Sequence, residues 1–237
     1  MPGVGTAGPL LMVDARESDI YGALVANNTG VPGRLEPITL TLTAAFTATT
    51  TVTAATNTAS AAPTIAIRAG TPLQFKDAAG SYIAIVGTDS ATGAGIEITA
   101  AEDIPNGAIA EWPVRLDLVT DHTQGVQTTL NNVSTYDHIG SGESARADTT
   151  RTFSSTANVS PYSAGQRLLN RAANQELDIY LEVRDPNPDA TVFATPPLSF
   201  GIARMSDASV SGTNGQKLSR TYSATYSGTV TELDAAV

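Results

Sequence analysis

The sequence predicts an all-β protein with one short flanking helix, and three observations predict it. From Ile38 to Ala54 the chain keeps a two-residue rhythm: Ile38, Leu40, Leu42, Ala44, Phe46, Ala48, Thr50, Val52 and Ala54 share one parity, while Thr39, Thr41, Thr43, Thr47, Thr49, Thr51 and Thr53 occupy the other. Side chains of a pleated strand alternate between faces, so this run reads as a strand with one apolar face and one face of short hydroxyls. The last part of the chain repeats the pattern, with Leu218, Tyr222, Ala224, Tyr226 and Val230 against Ser219, Thr221, Ser223, Thr225, Ser227 and Thr229. Composition agrees: 41% of the 237 residues are hydrophobic but only 5% aromatic, which suits strands of short side chains. Hydroxyl walls hold water and offer no charge or ring to grip a passing molecule, a surface for a conduit or scaffold rather than an active site.

Residues 1–37 read as an extended N-terminal arm, whose Leu10, Leu11, Met12, Ile20, Tyr21 and Leu24 are too apolar to stay solvated without a partner surface. The long strand that follows would reach about 55 Å unbroken, well beyond the usual five or six residues, so it must bend, break or leave the body; adjacent Ala44 and Ala45 are the expected bulge. An edge of that length is ordinarily protected or paired with a second chain. Ala55 to Pro63 is a low-complexity Ala/Thr/Ser connection. Residues 61–110 read as an inserted small β module, with strands at Thr64–Arg68, Pro72–Lys76, Ser81–Val86 and Ile96–Thr99. Residues 38–60 and 111–237 form the main β domain.

Within that domain Val114, Leu116 and Leu118 alternate with Arg115, Asp117 and Val119, and Thr120 to Thr150 reads as a long polar loop with a short strand around Val133. Arg151 to Val159 resumes β character. One helix is expected, with Ser160 as cap, Pro161 at its first position and Ala164, Leu168, Leu169, Ala172 and Ala173 on its apolar face. Gly165 inside it costs about 1 kcal/mol relative to alanine. Leu177, Ile179, Leu181 and Val183 then alternate with Asp178, Tyr180, Glu182 and Arg184 in a half-buried strand stopped by Asp185-Pro-Asn-Pro-Asp189. Two strands, Leu198–Val210 and Leu218–Val230, close the chain around the hairpin signal Asn214-Gly215.

A formal charge of −10, with thirteen scattered Lys and Arg, argues against a surface built to hold phosphate backbones. No cysteine is present, so neither disulfides nor thiol metal sites form. The first residues lack the basic and apolar regions of a signal peptide, and no stretch of about 18 apolar residues spans a membrane. Asp121-His122 and Asp137-His138 carry metal-ligand side chains, but sequence neighbours point apart in a strand and no third ligand stands at a useful spacing. Asp185, Asn187 and Asp189 open like a calcium loop, yet Ala190 and Pro196 replace its glycine and glutamate. Gly140-Ser-Gly-Glu-Ser144 is not a nucleophile elbow, and no phosphate-binding glycine loop occurs. An enzyme is not expected, nor a cofactor, nor a catalytic or metal-binding set.

Asn132-Val-Ser-Thr-Tyr-Asp137, Asp148-Thr-Thr-Arg-Thr-Phe153, one helix, Glu176-Leu-Asp-Ile-Tyr-Leu-Glu-Val183, Gly201-Ile-Ala-Arg-Met-Ser-Asp-Ala-Ser-Val-Ser-Gly212 and Tyr222-Ser-Ala-Thr-Tyr-Ser-Gly228 follow in an order that resembles the tail tube (major tail) proteins of long-tailed bacteriophages. The resemblance covers residues 112–237 and the long strand, and rests on element order rather than an invariant motif. It implies a β-sandwich or barrel with one flanking helix, a long hairpin or arm gripping adjacent rings, and hexameric rings stacked into a tube. Such a tube sits in the virion, is assembled in the bacterial cytoplasm, and passes double-stranded DNA and a tape-measure protein, with or without a surrounding sheath. No membrane insertion is implied. On that footing Thr39, Thr41, Thr43 and Thr47, with Asp178 and Glu182, are candidate lumen lining, and the apolar arm residues are candidate contacts between rings. The hydroxyl rows fit a solvated outer face equally well. Rival expectations are a capsid decoration or tail-terminator protein, and a carbohydrate-binding adhesin module, for which Trp112 is the only tryptophan available.

Overall fold

Period-two burial builds this chain into two antiparallel sheets with a helix packed against both. The computed structural model describes residues 19–25, 33–35, 37–42, 45, 51–53, 55–57, 67–92, 95–99, 103–133, 143–184, 198–213, 215, 217–228 and 230–233. In chain order the elements are β1 (Asp19–Leu24), β2 (Ile38–Leu42), β3 (Thr51–Thr53), β4 (Ala55–Asn57), β5 (Pro72–Lys76), β6 (Tyr82–Thr92), β7 (Gly95–Thr99), β8 (Ile109–Trp112) and β9 (Val114–Arg115). There follow β10 (Val119–Val133), β11 (Glu143–Asn158), α1 (Ala164–Asn174), β12 (Asp178–Arg184), β13 (Leu198–Ser211), β14 (Ser219–Tyr226) and β15 (Thr231–Leu233). The first sheet runs β10-β11-β14-β13-β12-β1-β9 with β15 also on β13, and the second runs β3-β7-β6-β5-β8-β2-β4. The all-β expectation with one helix is met.

Several expectations are corrected. The predicted strand 38–54 is described in two pieces, β2 on β8 and β3 on β7, with residues 43, 44, 46–50 and 54 outside the described residues, and β4 folds back on β2, pairing Leu40 with Asn57 and Leu42 with Ala55. β2 has β8 on its other side, so both of its borders are satisfied within the chain and it needs no second copy. β2 also belongs to the sheet of β5 and β8, not to that of β11 and β14, which divides the expected main domain differently. Residues 19–24 are no arm: β1 is an interior strand between β12 and β9. Ile20 and Leu24 are fully buried in this chain's own core, which withdraws them as contacts between rings. Tyr21 is half-buried beneath the Arg184 guanidinium, 4.6 Å from its ring centre. Leu10, Leu11 and Met12 lie outside the described residues.

The largest difference is the segment read as a loop. Residues 119–158 are two long strands, β10 and β11, paired in register from Val119–Ala157 to Val133–Glu143. From Asp121 to Thr128 the β10 side chains are exposed or half-buried, so no apolar alternation marks the strand in the sequence.

The helix begins three residues later than expected, because Ser163 rather than Ser160 caps it and its Oγ accepts from the Gln166 N–H at 3.3 Å. Its apolar face is as expected, with Ala164, Leu168, Leu169 and Ala172 buried. Helix α1 touches β1, β9 and β13 of the first sheet and β5 of the second, so one core continues across both. Gly165 explains itself here: a Cβ at that position would lie 2.2 Å from the Arg115 carbonyl oxygen, so only glycine lets helix and β9 meet. The chain crosses from the second sheet to the first between β8 and β9, through the cis Trp112–Pro113 bond.

Candidate assembly surface

Four consecutive neighbours in the first sheet, β10, β11, β14 and β13, carry the hydroxyl pattern on a single face. On β14 the side chains of Tyr222, Ala224 and Tyr226 are buried while Ser219, Thr221, Ser223 and Thr225 lie half-buried on the other face. β11 alternates in step, with Phe153, Ser155 and Ala157 inward and Ser154 and Thr156 outward. Register then aligns the outward rows, placing Thr156 opposite Thr221, Ser154 opposite Ser223 and Thr152 opposite Thr225. Asp121 and Thr123 of β10 continue the rows on one side, and Ser209 and Asp207 of β13 on the other. Neighbouring hydroxyls meet: Thr156 Oγ1 and Thr221 Oγ1 are 3.2 Å apart, and Ser211 Oγ and Ser219 Oγ 3.1 Å. The result is a lattice of short donors and acceptors with Asp121 and Asp207 on its two outer strands and the exposed Arg204, ion-paired to Asp178, opposite Thr225.

The opposite face of β14 and β11 is buried, with Tyr222, Ala224, Tyr226, Phe153 and Ala157 turned into the core. Burial pushes the Tyr222 phenol up to about 12, against the opposing pull of Arg220, and raises Tyr226 as well. The Tyr226 hydroxyl is buried without a hydrogen-bond partner among the described residues. Packing, not polarity, holds this side.

Among the described residues both borders of the four-stranded array are open. Among the described residues no strand lies outside β10. On the other side β13 is shared: Leu198–Arg204 pairs with β12, whereas among the described residues Met205–Ser211 pairs with β14 alone. A bulge between Met205 and Asp207 marks the change of partner. Successive strands are antiparallel, so β10 and the free half of β13 run in opposite directions. β10 and β11 also extend past their neighbour: the last β11–β14 pair is Thr152–Thr225, and beyond it Val126–Val133 faces Arg151–Glu143 as a two-stranded ribbon of roughly 25 Å.

No protein-family model matches this chain, and no curated protein matches it. Among solved structures it is similar to a chain described as "Tail of empty GTA particle computed with helical refinement, C6 symmetry", with a TM-score of 0.37 and 11% identity over 49% of this chain and 82% of that one. A likeness of that size decides nothing about function, which rests on the residues themselves.

The acidic lining expected from the sequence is corrected. Glu182 is 0% exposed: its Oε2 accepts from the Tyr180 hydroxyl at 2.6 Å, and its Oε1 takes Arg184 Nε and Arg34 Nη2, the latter at 3.3 Å. Asp178 is buried and its Oδ1 receives both Nε and Nη2 of Arg204, at 3.0 and 2.8 Å. Both sit on β12, an interior strand covered on both faces, so these carboxylates are internal ion pairs rather than a channel wall. Thr39 and Thr41 are half-buried on β2 in the second sheet, away from the hydroxyl lattice; Thr43 and Thr47 lie outside the described residues. The lattice residues Ser154 and Thr156 fall inside the predicted β segment 151–159 but were not singled out there, although the Thr152–Ala157 alternation carries the same signal as β14.

Other chemistry finds little support. Asp121 is exposed and His122 half-buried on successive, opposed positions of β10, and among the described residues no three potential metal ligands come together. Asp137, His138 and residues 185–190 lie outside the described residues. Trp112 is buried at 1% exposure, and the partly exposed pair Tyr82–Tyr162 meets edge-on at 63°, so neither offers a flat platform for a sugar ring. No described helix is long and apolar enough to cross a membrane.

Proposed function

We propose that this protein is a non-enzymatic virion subunit that closes into rings and forms the tail tube of a phage-like particle. The observation that carries the reading is the pair of free borders on either side of the hydroxyl lattice. A rotation-related copy keeps its strand directions, so its β10 arrives antiparallel to the free half of β13, the geometry an antiparallel ladder requires. Met205–Ser211 faces a matching length of β10, Val119–Gly125, which leaves the ribbon outside the junction. Head-to-tail pairing around an axis ends when the first and last copies meet, and closure removes every exposed border. Six copies per ring follow from the sequence resemblance.

The lattice face is the wall suited to the bore. Short hydroxyls keep water and give DNA or a tape-measure protein little to hold, the one long cation of the face among the described residues, Arg204, is engaged by Asp178, and Asp121 and Asp207 repel phosphate rather than bind it. Assembly in the bacterial cytoplasm and residence in the virion belong to the same reading.

Electron microscopy of the purified protein at rising concentration tests it. Rings or tubes with a central bore are expected, with sixfold averages. Monodisperse single copies throughout the range overturn the proposal, and threefold clusters point instead to a decoration protein.

A further inference from the structure

Acids outnumber bases in this chain by 23 to 13, and Arg34, Arg115, Arg184 and Arg204 each meet one. Two arginines of α1 do not. Arg167 and Arg171 stand four residues apart, so they rise from the same side of the helix one turn from each other, where like charges repel. Among the described residues neither has an acid within ion-pair distance, and the Arg167 guanidinium donates to the Pro161 carbonyl at 3.0 Å. Both line a cleft of about 440 Å³ between α1 and the β5–β6 hairpin, a volume in the range of ligand sites. The sheet gives this cleft an apolar lining through Pro72 and Ile85, and the helix a polar one through Arg167, Asn170 and Arg171. Arg171 Nε and Asn170 Oδ1 are buried without a hydrogen-bond partner among the described residues. A ligand that draws these side chains toward the cleft therefore breaks no bond made by either atom, and supplies each with a partner it lacks. Gly70, at φ 81° in the turn before β5, makes room for the arrangement, since a Cβ there would collide with the Arg171 guanidinium.

We infer that this cleft binds an extended acidic peptide segment of a partner protein, two of whose carboxylates meet Arg167 and Arg171. A guanidinium fork takes a carboxylate through paired N–H bonds. Spacing fits as well: alternate side chains of an extended segment point the same way about 7 Å apart, and residues one helical turn apart have Cβ atoms about 5–6 Å apart. A Glu-x-Glu segment thus sets one carboxylate against each arginine, lays its methylenes on Pro72 and Ile85, and has a main-chain N–H between them for the Asn170 amide oxygen. Phosphate is the poorer match. Arg171 stands in the last turn of α1, away from the N-terminal N–H groups that favour phosphate, and a chain of net charge −10 repels a polyphosphate backbone. Binding here is independent of ring closure, because none of these residues lies on β10, β11, β13 or β14.

A fluorescently labelled, end-blocked peptide of sequence Ala-Glu-Ala-Glu-Ala, titrated with the whole chain and read by anisotropy, tests the site. Saturable binding is expected, weakened about tenfold or more by Arg167→Gln and by Arg171→Gln, since each removes one charge-assisted pair. Raising the salt from about 50 to about 500 mM should also weaken it several-fold. Arg171 packs against Gly70, so its variant is checked by thermal midpoint; Arg167 is exposed, and Arg167→Gln should leave both the midpoint and ring formation unchanged. Absence of binding up to millimolar peptide overturns the inference. So does equal binding of the Ala-Gln-Ala-Gln-Ala peptide, or of the glutamate peptide by folded Arg167→Gln protein. Displacement by free succinate at the peptide's own affinity would make this a small-acid site, and displacement by inorganic phosphate a phosphate site; either overturns the peptide as occupant. Each of these failures leaves the tube reading standing, because rings are scored separately by electron microscopy.

Discussion

β12 and β14 carry the same kind of sequence and live in opposite surroundings. Both alternate apolar with polar residues, yet β12 is covered on both faces while β14 turns its serines and threonines outward. The difference lies in the polar residues themselves. β14 offers short hydroxyls that satisfy one another or water; β12 offers Asp178 and Glu182, which become internal only because Arg204, Arg184, Arg34 and the Tyr180 hydroxyl come to meet them. Alternation reports the pleat, and the chemistry of the second face reports what must cover it.

The sharpest way to break this comparison is Glu182→Ala. It strands two guanidinium groups and a phenol around an empty site, and about 3 kcal/mol of stability should be lost in denaturant unfolding. An unchanged midpoint would mean the pairs on β12 are incidental. Asp178→Ala should cost less, about 1–2 kcal/mol, because Arg204 is more than half exposed and regains water. The dry side of β14 is probed by pH. Burial raises the folded pKa of Tyr222 and Tyr226 above the unfolded value of 10, so their contribution is complete below pH 10 and is lost as pH rises beyond it. Each phenol should steepen the fall by about 1.4 kcal/mol per pH unit above pH 10, and Tyr226→Phe should remove its share while leaving neutral-pH stability unchanged or slightly higher, since the lost hydroxyl has no partner among the described residues. Least affected should be Thr221→Val on the lattice face, within about 0.5 kcal/mol for the subunit. A larger loss there would mean that the lattice is held by its hydroxyl contacts rather than by the core behind it.

Much of the fold was legible, and for a physical reason. Wherever one face of an element meets the core, its period survives in the sequence: Tyr222, Ala224 and Tyr226 announced β14, Leu168 and Leu169 announced α1, and Asn214-Gly215 announced the turn between β13 and β14, where Gly215 adopts φ 84°. Residues 121–128 gave no such signal because the β10 side chains there are exposed or half-buried on both faces. The fold-back of β4 onto β2 is a long-range pairing that alternation does not encode, so one predicted border problem was solved inside the chain. The border of β10, open among the described residues, lay in the segment with no pattern. Of the candidate site, the β14 hydroxyl row was recognised, its β11 counterpart was legible in the Thr152–Ala157 alternation but passed over, and the two acids of β12 misled because an exposed carboxylate and a covered one look alike until their arginines are placed.

The divided pairing of β13 has a mechanical consequence. Its first half is laced into the interior through β12 and its second half into the hydroxyl array through β14, so interior and wall are stitched by one unbroken covalent backbone. Pulling the wall lengthwise therefore loads two ladders in shear, many hydrogen bonds at once, instead of unzipping a seam one bond at a time.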